Sequence, residues 1–125
     1  MLLKTTLIIA FGGAAGAVGR YFISNLFYDI LGRGFPYGTL AVNVIGSLLI
    51  GFFYVLFIEK ITLGAELRTL IMVGFLGAFT TFSTFSLETL LLIQQGNPLK
   101  AFFNVILSVV LCLFASWLGM ILSRI

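Results

Sequence analysis

The chain has no histidine, one cysteine, two prolines and only four acidic side chains among its 125 residues. Each scarcity excludes something. Without histidine, and with so few carboxylates, imidazole acid–base catalysis and transition-metal ligation have almost no material to work with. The single thiol, Cys112, makes no intrachain disulfide, and there is no CxxC or Cys/His metal spacing. No nucleophile–base pair is visible, so an enzyme is the least supported reading. Charge of either sign is scarce: 9% of residues, against roughly 25% in soluble domains. Seven basic residues spread over the whole chain form no patch for nucleic acid.

What is present is apolar. Hydrophobic residues make up 61% of the chain, and the mean hydropathy is +1.21. A soluble core of this size could not hide that surface, so lipid is the expected solvent. The net charge of +3 suits juxtamembrane anchoring to anionic lipid. Lys4 precedes an apolar stretch that continues past Arg20 without a clean cleavage site, which reads as a first membrane helix rather than a signal peptide.

Four spans can be drawn at about 20 apolar residues each: roughly 5–31, 37–58, 67–93 and 99–122. Arg20 and Asp29 suggest that the membrane part of the first ends early. "GRGFPYG" (32–38) is the first break, with Pro36 suited to the first turn of the next helix. "EKITLGAELR" (59–68) reads as a solvated loop and the start of a helix. "QQGNP" (94–98) is the last turn, with Asn97 as N-cap and Pro98 at the first helical position. No linker divides the chain, so 1–125 is read as one all-α membrane domain. Lys4, Lys60, Arg68 and Arg124 fall on one side, Arg33 and Lys100 on the other with Arg20 near them. So even a split barely selects an orientation. Either the numbers are too small to speak, or the chain inserts both ways and pairs as an antiparallel dimer. Gly12 and Gly16 form a GxxxG-type surface that argues for close helix packing with no particular partner.

Polar groups inside spans need a reason. Asn43 is either a helix–helix hydrogen bond or a pathway donor. Asn104, Ser108, Cys112 and Ser116 recur every fourth residue and share one face of span four. They make either an interface stripe or a polar track for something that sheds water gradually. "GAFTTFSTF" (77–85) crowds Thr80, Thr81, Ser83 and Thr84 beside Gly77, with Ser86 just beyond. One or two hydroxyls survive in any apolar helix by bonding back to a carbonyl. This many suggest a span broken near its middle, which is tolerated only inside protein. Phe82 and Phe85 share a helical face. As rings they are either lipid contacts or, edge-on, anion contacts. Arg20 either snorkels to the interface or draws anions at a vestibule. Glu88 is the one acid inside spans two to four, near the end of span three. No carboxylate sits where a proton-coupled small multidrug exporter would need one. A non-transporting assembly subunit would use the same polar groups for packing alone.

"GFLGAFTTFSTFSLE" (74–88) resembles the signature of the CrcB/Fluc family of fluoride channels, GFxGGxTTFSTFSxE, with Ala78 in place of a glycine. "GTLAVNVIGS" (38–47) is similar to its second motif, GTLxVNxxG, and "GGAAGAVGR" (12–20) to its first. The resemblance covers essentially the whole chain. It implies an antiparallel, dual-topology homodimer of four-helix subunits. Such a dimer passively conducts fluoride out of a prokaryotic cell through its plasma membrane, the inner membrane of a Gram-negative one. It implies that Phe82, Phe85 and Asn43 line the pathway, with Ser108 and Asn104 on the span-four track and Thr81, Ser83 and Thr84 as further contacts. It implies a structural sodium ion held by the carbonyls of Gly77 and Thr80 from both subunits, and Arg20 beside a vestibule. Glu88 matches the family's acid. Cys112 stands where a small hydroxyl residue is common. Partners are thus fluoride, a second copy and the bilayer, with no nucleic acid.

Overall fold

The structure, a computed structural model, describes residues 1–62 and 64–125; Leu63, in the 59–68 connection, lies outside the described residues. Among the described residues there are helices and no strand. Helix α1 is Leu2–Leu31, and α2 is Tyr37–Tyr54, continued by π-helical turns over Val55–Lys60. Helix α3 is Ala65–Arg68, continued by π-helical turns over Thr69–Phe75, and then come α4 (Leu76–Phe79), α5 (Phe82–Gln94) and α6 (Pro98–Arg124). By length and apolarity they make four candidate membrane spans: Leu2–Leu31, Tyr37–Lys60, Ala65–Gln94 and Pro98–Arg124. The first helix runs unbroken past Arg20 and Asp29.

Glycine ends two of them. Gly32 (φ 87°) follows α1 and Gly96 (φ 81°) follows α5, both in conformations that other residues rarely adopt. Pro36 and Asn97 depart in detail from their expected roles. Helix α2 begins one residue after Pro36, whose ψ of 59° is not helical. Asn97 holds the N-cap position of α6 but makes no side-chain cap bond. Pro98 follows it and carries no N–H to cap.

Small residues bring the spans together. In lipid, apolar side chains gain little by leaving their solvent, so close backbone approach and hydrogen bonds must hold helices together. Gly12 and Gly16 lie directly against span three: a Cβ at Gly12 would collide with the carbonyl of Leu70, and one at Gly16 with that of Phe75. The GxxxG surface is therefore used within the chain. Helices α2 and α6 pack most extensively, through Gly51 against the Ser116 carbonyl and Gly119 against the Leu48 carbonyl. The interior is thin, built round Val42, Val55, Leu76 and Phe79, while Leu113, Phe114 and Trp117 point outward.

Polar contacts mark the two ends. At one, Lys4 pairs with Glu66 (2.5 Å) and Arg124 with Glu59 (3.0 Å). At the other, Lys100 Nζ donates to the Gly34 carbonyl (2.9 Å), and the Arg33 guanidinium lies 4.8 Å from the centre of the Tyr28 ring.

Candidate functional site

Halfway along the third candidate span, α4 ends at Phe79 and α5 begins at Phe82, with the Thr80 N–H still donating to the Leu76 carbonyl (3.2 Å). Thr80 (φ −87°, ψ 157°) and Thr81 (φ −150°, ψ 120°) are extended. Every backbone group released there must find a partner within protein. Asn43, on the unbroken α2, meets the Thr81 peptide on both sides. Its Oδ1 accepts from the Thr81 N–H (2.8 Å), and its Nδ2 donates to the Thr81 carbonyl (2.9 Å). Thr81 Oγ1 in turn caps α5, accepting from the Thr84 N–H (3.3 Å) and donating to Thr84 Oγ1 (3.1 Å). Arg20 Nε donates to the Ala78 carbonyl (2.9 Å). Thr80 and Ser86 bond back to the carbonyls of Leu76 and Phe82. Thr81 and Ser83 hydroxyls are 3.4 Å apart, and Ser83 is otherwise exposed.

Beside these residues runs an open groove of about 510 Å³. Asn43, Gly77, Thr80, Thr81, Phe82, Phe85, Ser108 and Cys112 line it, with Ser47 and apolar side chains of spans two to four between them. Among the described residues, no carboxylate or amine side chain is in its wall. Phe82 and Phe85 face it as a pair, ring centres 5.3 Å apart and planes at 48°. Phe82 is 78% exposed. Ser108 is only 8% exposed, and its Oγ has no hydrogen-bond partner among the described residues.

The span-four stripe divides by role. Ser108 and Cys112 line the groove, whereas Ser116 Oγ donates to the Ser47 carbonyl (3.0 Å) in the contact with α2. Asn104 is 1% exposed and lies outside the groove wall, donating to Thr89 Oγ1 (2.9 Å), which itself donates to the Phe85 carbonyl (2.7 Å). Ser83, Thr84, Arg20 and Glu88 also lie outside that wall.

Glu88 belongs to a second cluster. Its Oε1 accepts from Thr39 Oγ1 (2.5 Å) and its Oε2 from the Tyr28 hydroxyl (3.1 Å), joining α1, α2 and α5. Glu88 and Tyr28 border a separate cleft of about 380 Å³ that also holds Arg33 and Lys100. Sequence reasoning passed over Tyr28, Thr39 and Thr89. Thr39 sits four residues before Asn43, on the same helical face, and that spacing was the available signal.

Among the described residues no group of three His, Cys, Asp or Glu side chains is placed to hold a metal ion. Oxygens of the backbone are another matter. In an unbroken helix the Thr81 N–H would occupy the Gly77 carbonyl and the Thr84 N–H that of Thr80. Both donors are turned to side chains instead, which leaves hard oxygen acceptors of the kind sodium takes. Gly77 is exposed, and among the described residues no atom outside its own stretch of helix backbone lies within 4 Å of where its Cβ would be.

Comparison with known proteins is consistent across the chain. Residues 7–120 match the family described as CrcB-like protein, Camphor Resistance (CrcB). A protein of Methylococcus capsulatus named "Fluoride-specific ion channel FluC" is 60% identical over 116 residues, 93% of this chain. This chain spans about half the length of that relative (51%). Proteins of the same name are 55% identical over 113 residues in Pseudoalteromonas translucida (90% of this chain, 94% of the relative) and 54% identical over 125 residues in Shewanella amazonensis (98% and 100%).

Proposed function

The chain belongs to the CrcB-like family, and from that premise we propose that it is a fluoride-selective channel. It lets fluoride leave the cytoplasm passively across the plasma membrane, the inner membrane of a Gram-negative cell. It is a conductor and not an enzyme. The observation that carries the reading is the groove wall: uncharged donors and a pair of phenylalanines, with no carboxylate or amine. Fluoride is small and strongly hydrated, and stripping its water is costly. A conduction path must repay that cost without holding the ion too tightly. Neutral hydroxyl and amide donors meet both demands. Ring edges carry positive charge, so Phe82 and Phe85 supply anion contacts that have no competing proton chemistry.

Each residue has a part in this reading. Ser108 offers an unspent hydroxyl, and Asn43 keeps a second N–H after bonding Thr81, since its amide carries two. Arg20 retains guanidinium donors beyond the one on Ala78, and its charge draws anions towards the path. Thr81 and Thr84 spend their hydroxyls on the local turn, so with Ser83 and Asn104 they support the wall more than they touch the ion. Cys112 makes its rung less polar than a hydroxyl would. Glu88 fastens three helices at the far end.

The groove is open on one flank, and a polar wall cannot face lipid. A second copy, inserted with opposite orientation, closes it. The even split of basic residues permits that dual topology. Span three, broken at Thr80–Thr81, then meets its counterpart. Gly77 and Thr80 from both copies would hold a sodium ion, whose charge fixes the dimer interface.

The test uses proteoliposomes loaded with potassium fluoride, a fluoride electrode, and valinomycin to release the counter-ion. Fast fluoride efflux with little chloride efflux and no need for a pH gradient is expected. No efflux from folded dimer overturns the reading, and efflux that requires a proton gradient replaces it with an exporter.

A further inference from the structure

We propose that Asn43 is a positioning residue for the cation cradle, acting by taking the Thr81 N–H away from the Gly77 carbonyl. This rests on the sodium part of the proposed function and adds to it a residue with a defined task. The argument is one of donors and acceptors. Four carbonyls, those of residues 77–80, would be bonded in an unbroken helix by the N–H groups four residues on. Side chains act on three of them. The Thr81 N–H goes to Asn43 Oδ1 and the Thr84 N–H to Thr81 Oγ1, which releases Gly77 and Thr80. Ala78, which lies between them in sequence, is occupied by Arg20 Nε. Of the four, Gly77 and Thr80 are thus the two whose helical donors a side chain diverts, and these are the two we assign to the cation.

Asn43 suits the task because one amide both accepts and donates. It fixes the Thr81 peptide plane from two sides, at 2.8 and 2.9 Å. It also stands on a continuous helix, α2, so the clamp has a rigid base. An apolar side chain at 43 would leave the Thr81 N–H without a partner in a membrane, a heavily penalised state. The cheapest repair is for Thr81 to return to the Gly77 carbonyl, which closes the turn and removes a ligand.

Two variants separate this role from that of a pathway donor. Asn43→Leu loses both bonds, whereas Asn43→Asp keeps an acceptor for the Thr81 N–H while placing an acid beside the groove. The readout is the thermal unfolding midpoint of the purified full chain in detergent as sodium chloride replaces potassium chloride at constant total salt. Wild type is expected to gain stability with sodium. Asn43→Leu should need about tenfold more sodium or lose the gain, as for outer-sphere ligands of other metals. Asn43→Asp should keep the gain while losing fluoride efflux. Wild-type sodium dependence in Asn43→Leu, or its loss in folded Asn43→Asp, overturns the inference alone. If Asn43→Leu does not fold, Asn43→Asp decides by the same criterion. Absence of any sodium effect in wild type overturns both the inference and the sodium reading beneath it.

Discussion

Spans three and four both carry hydroxyl and amide side chains through apolar surroundings, and they use them differently. Span four, α6, is helical from Pro98 to Arg124. Its backbone is satisfied internally, so its polar side chains are free to bond neighbours: Asn104 to Thr89, Ser116 to the Ser47 carbonyl. Span three leaves helical geometry at Thr80 and Thr81, and its polar side chains are drawn into repairing the backbone. Thr81 caps α5, and Asn43 and Arg20 reach in from other helices. The lesson is one of valence. An intact helix has side-chain bonds to offer and none of its backbone. An interrupted one consumes side-chain bonds and offers carbonyls. The wall of the groove draws on both: the extended Thr80–Thr81 stretch and two rings from span three, and from span four Ser108, whose hydroxyl has no partner among the described residues.

Substitutions can break that contrast, and the largest effect falls on the intact span. Gly119 meets the Leu48 carbonyl at the α2–α6 contact. Gly119→Leu is expected to cost about 3 kcal/mol or more by overpacking, read as loss of a monodisperse peak in size-exclusion chromatography. A normal peak and midpoint would mean that the two helices separate easily. Next come the rings. Phe82→Ile and Phe85→Ile should each lower fluoride flux about tenfold, the equivalent of one lost ring contact of about 1.4 kcal/mol, with the oligomeric state unchanged. Equal flux in both would remove the rings from the mechanism.

Smaller effects sharpen the division of labour. Thr81→Ala deletes the cap of α5 and is expected to cost about 1 kcal/mol, visible as a lower unfolding midpoint that Thr81→Ser restores. The finest comparison is within the stripe. Ser116→Ala should lower stability by about 0.6 kcal/mol, the mean for a membrane hydrogen bond, and leave flux alone. Ser108→Ala should do the reverse, lowering flux with little change in midpoint, because its hydroxyl has no partner among the described residues. Identical phenotypes in the pair would erase the distinction between a packing rung and a pathway rung.

Much of the architecture was legible in the residues. Four apolar stretches of spanning length follow from hydropathy, and glycine marks the ends of α1 and α5. The crowding of hydroxyls at 80–86 pointed to the place where Thr80 and Thr81 are extended. Less legible were the partners. Gly12 and Gly16 advertise close packing on any surface, and only their contact with Leu70 and Phe75 shows that span three is what they meet. Glu88 looked like an isolated acid until Tyr28 and Thr39 were found on its two oxygens.

The sequence by itself determined that the chain lives in lipid, that it crosses four times, and which side chains are available for polar work. Those properties are sums over residues or periodicities along one helix, so no knowledge of neighbours is needed. The tertiary structure decided how the polar groups are spent. It set Asn43 on the Thr81 peptide, Arg20 on Ala78 and Asn104 on Thr89, and it left Ser108 in the groove with no partner among the described residues. A hydrogen bond depends on which donor stands about 3 Å from which acceptor, and partners 38 or 58 residues apart along the chain come that close only when the helices pack.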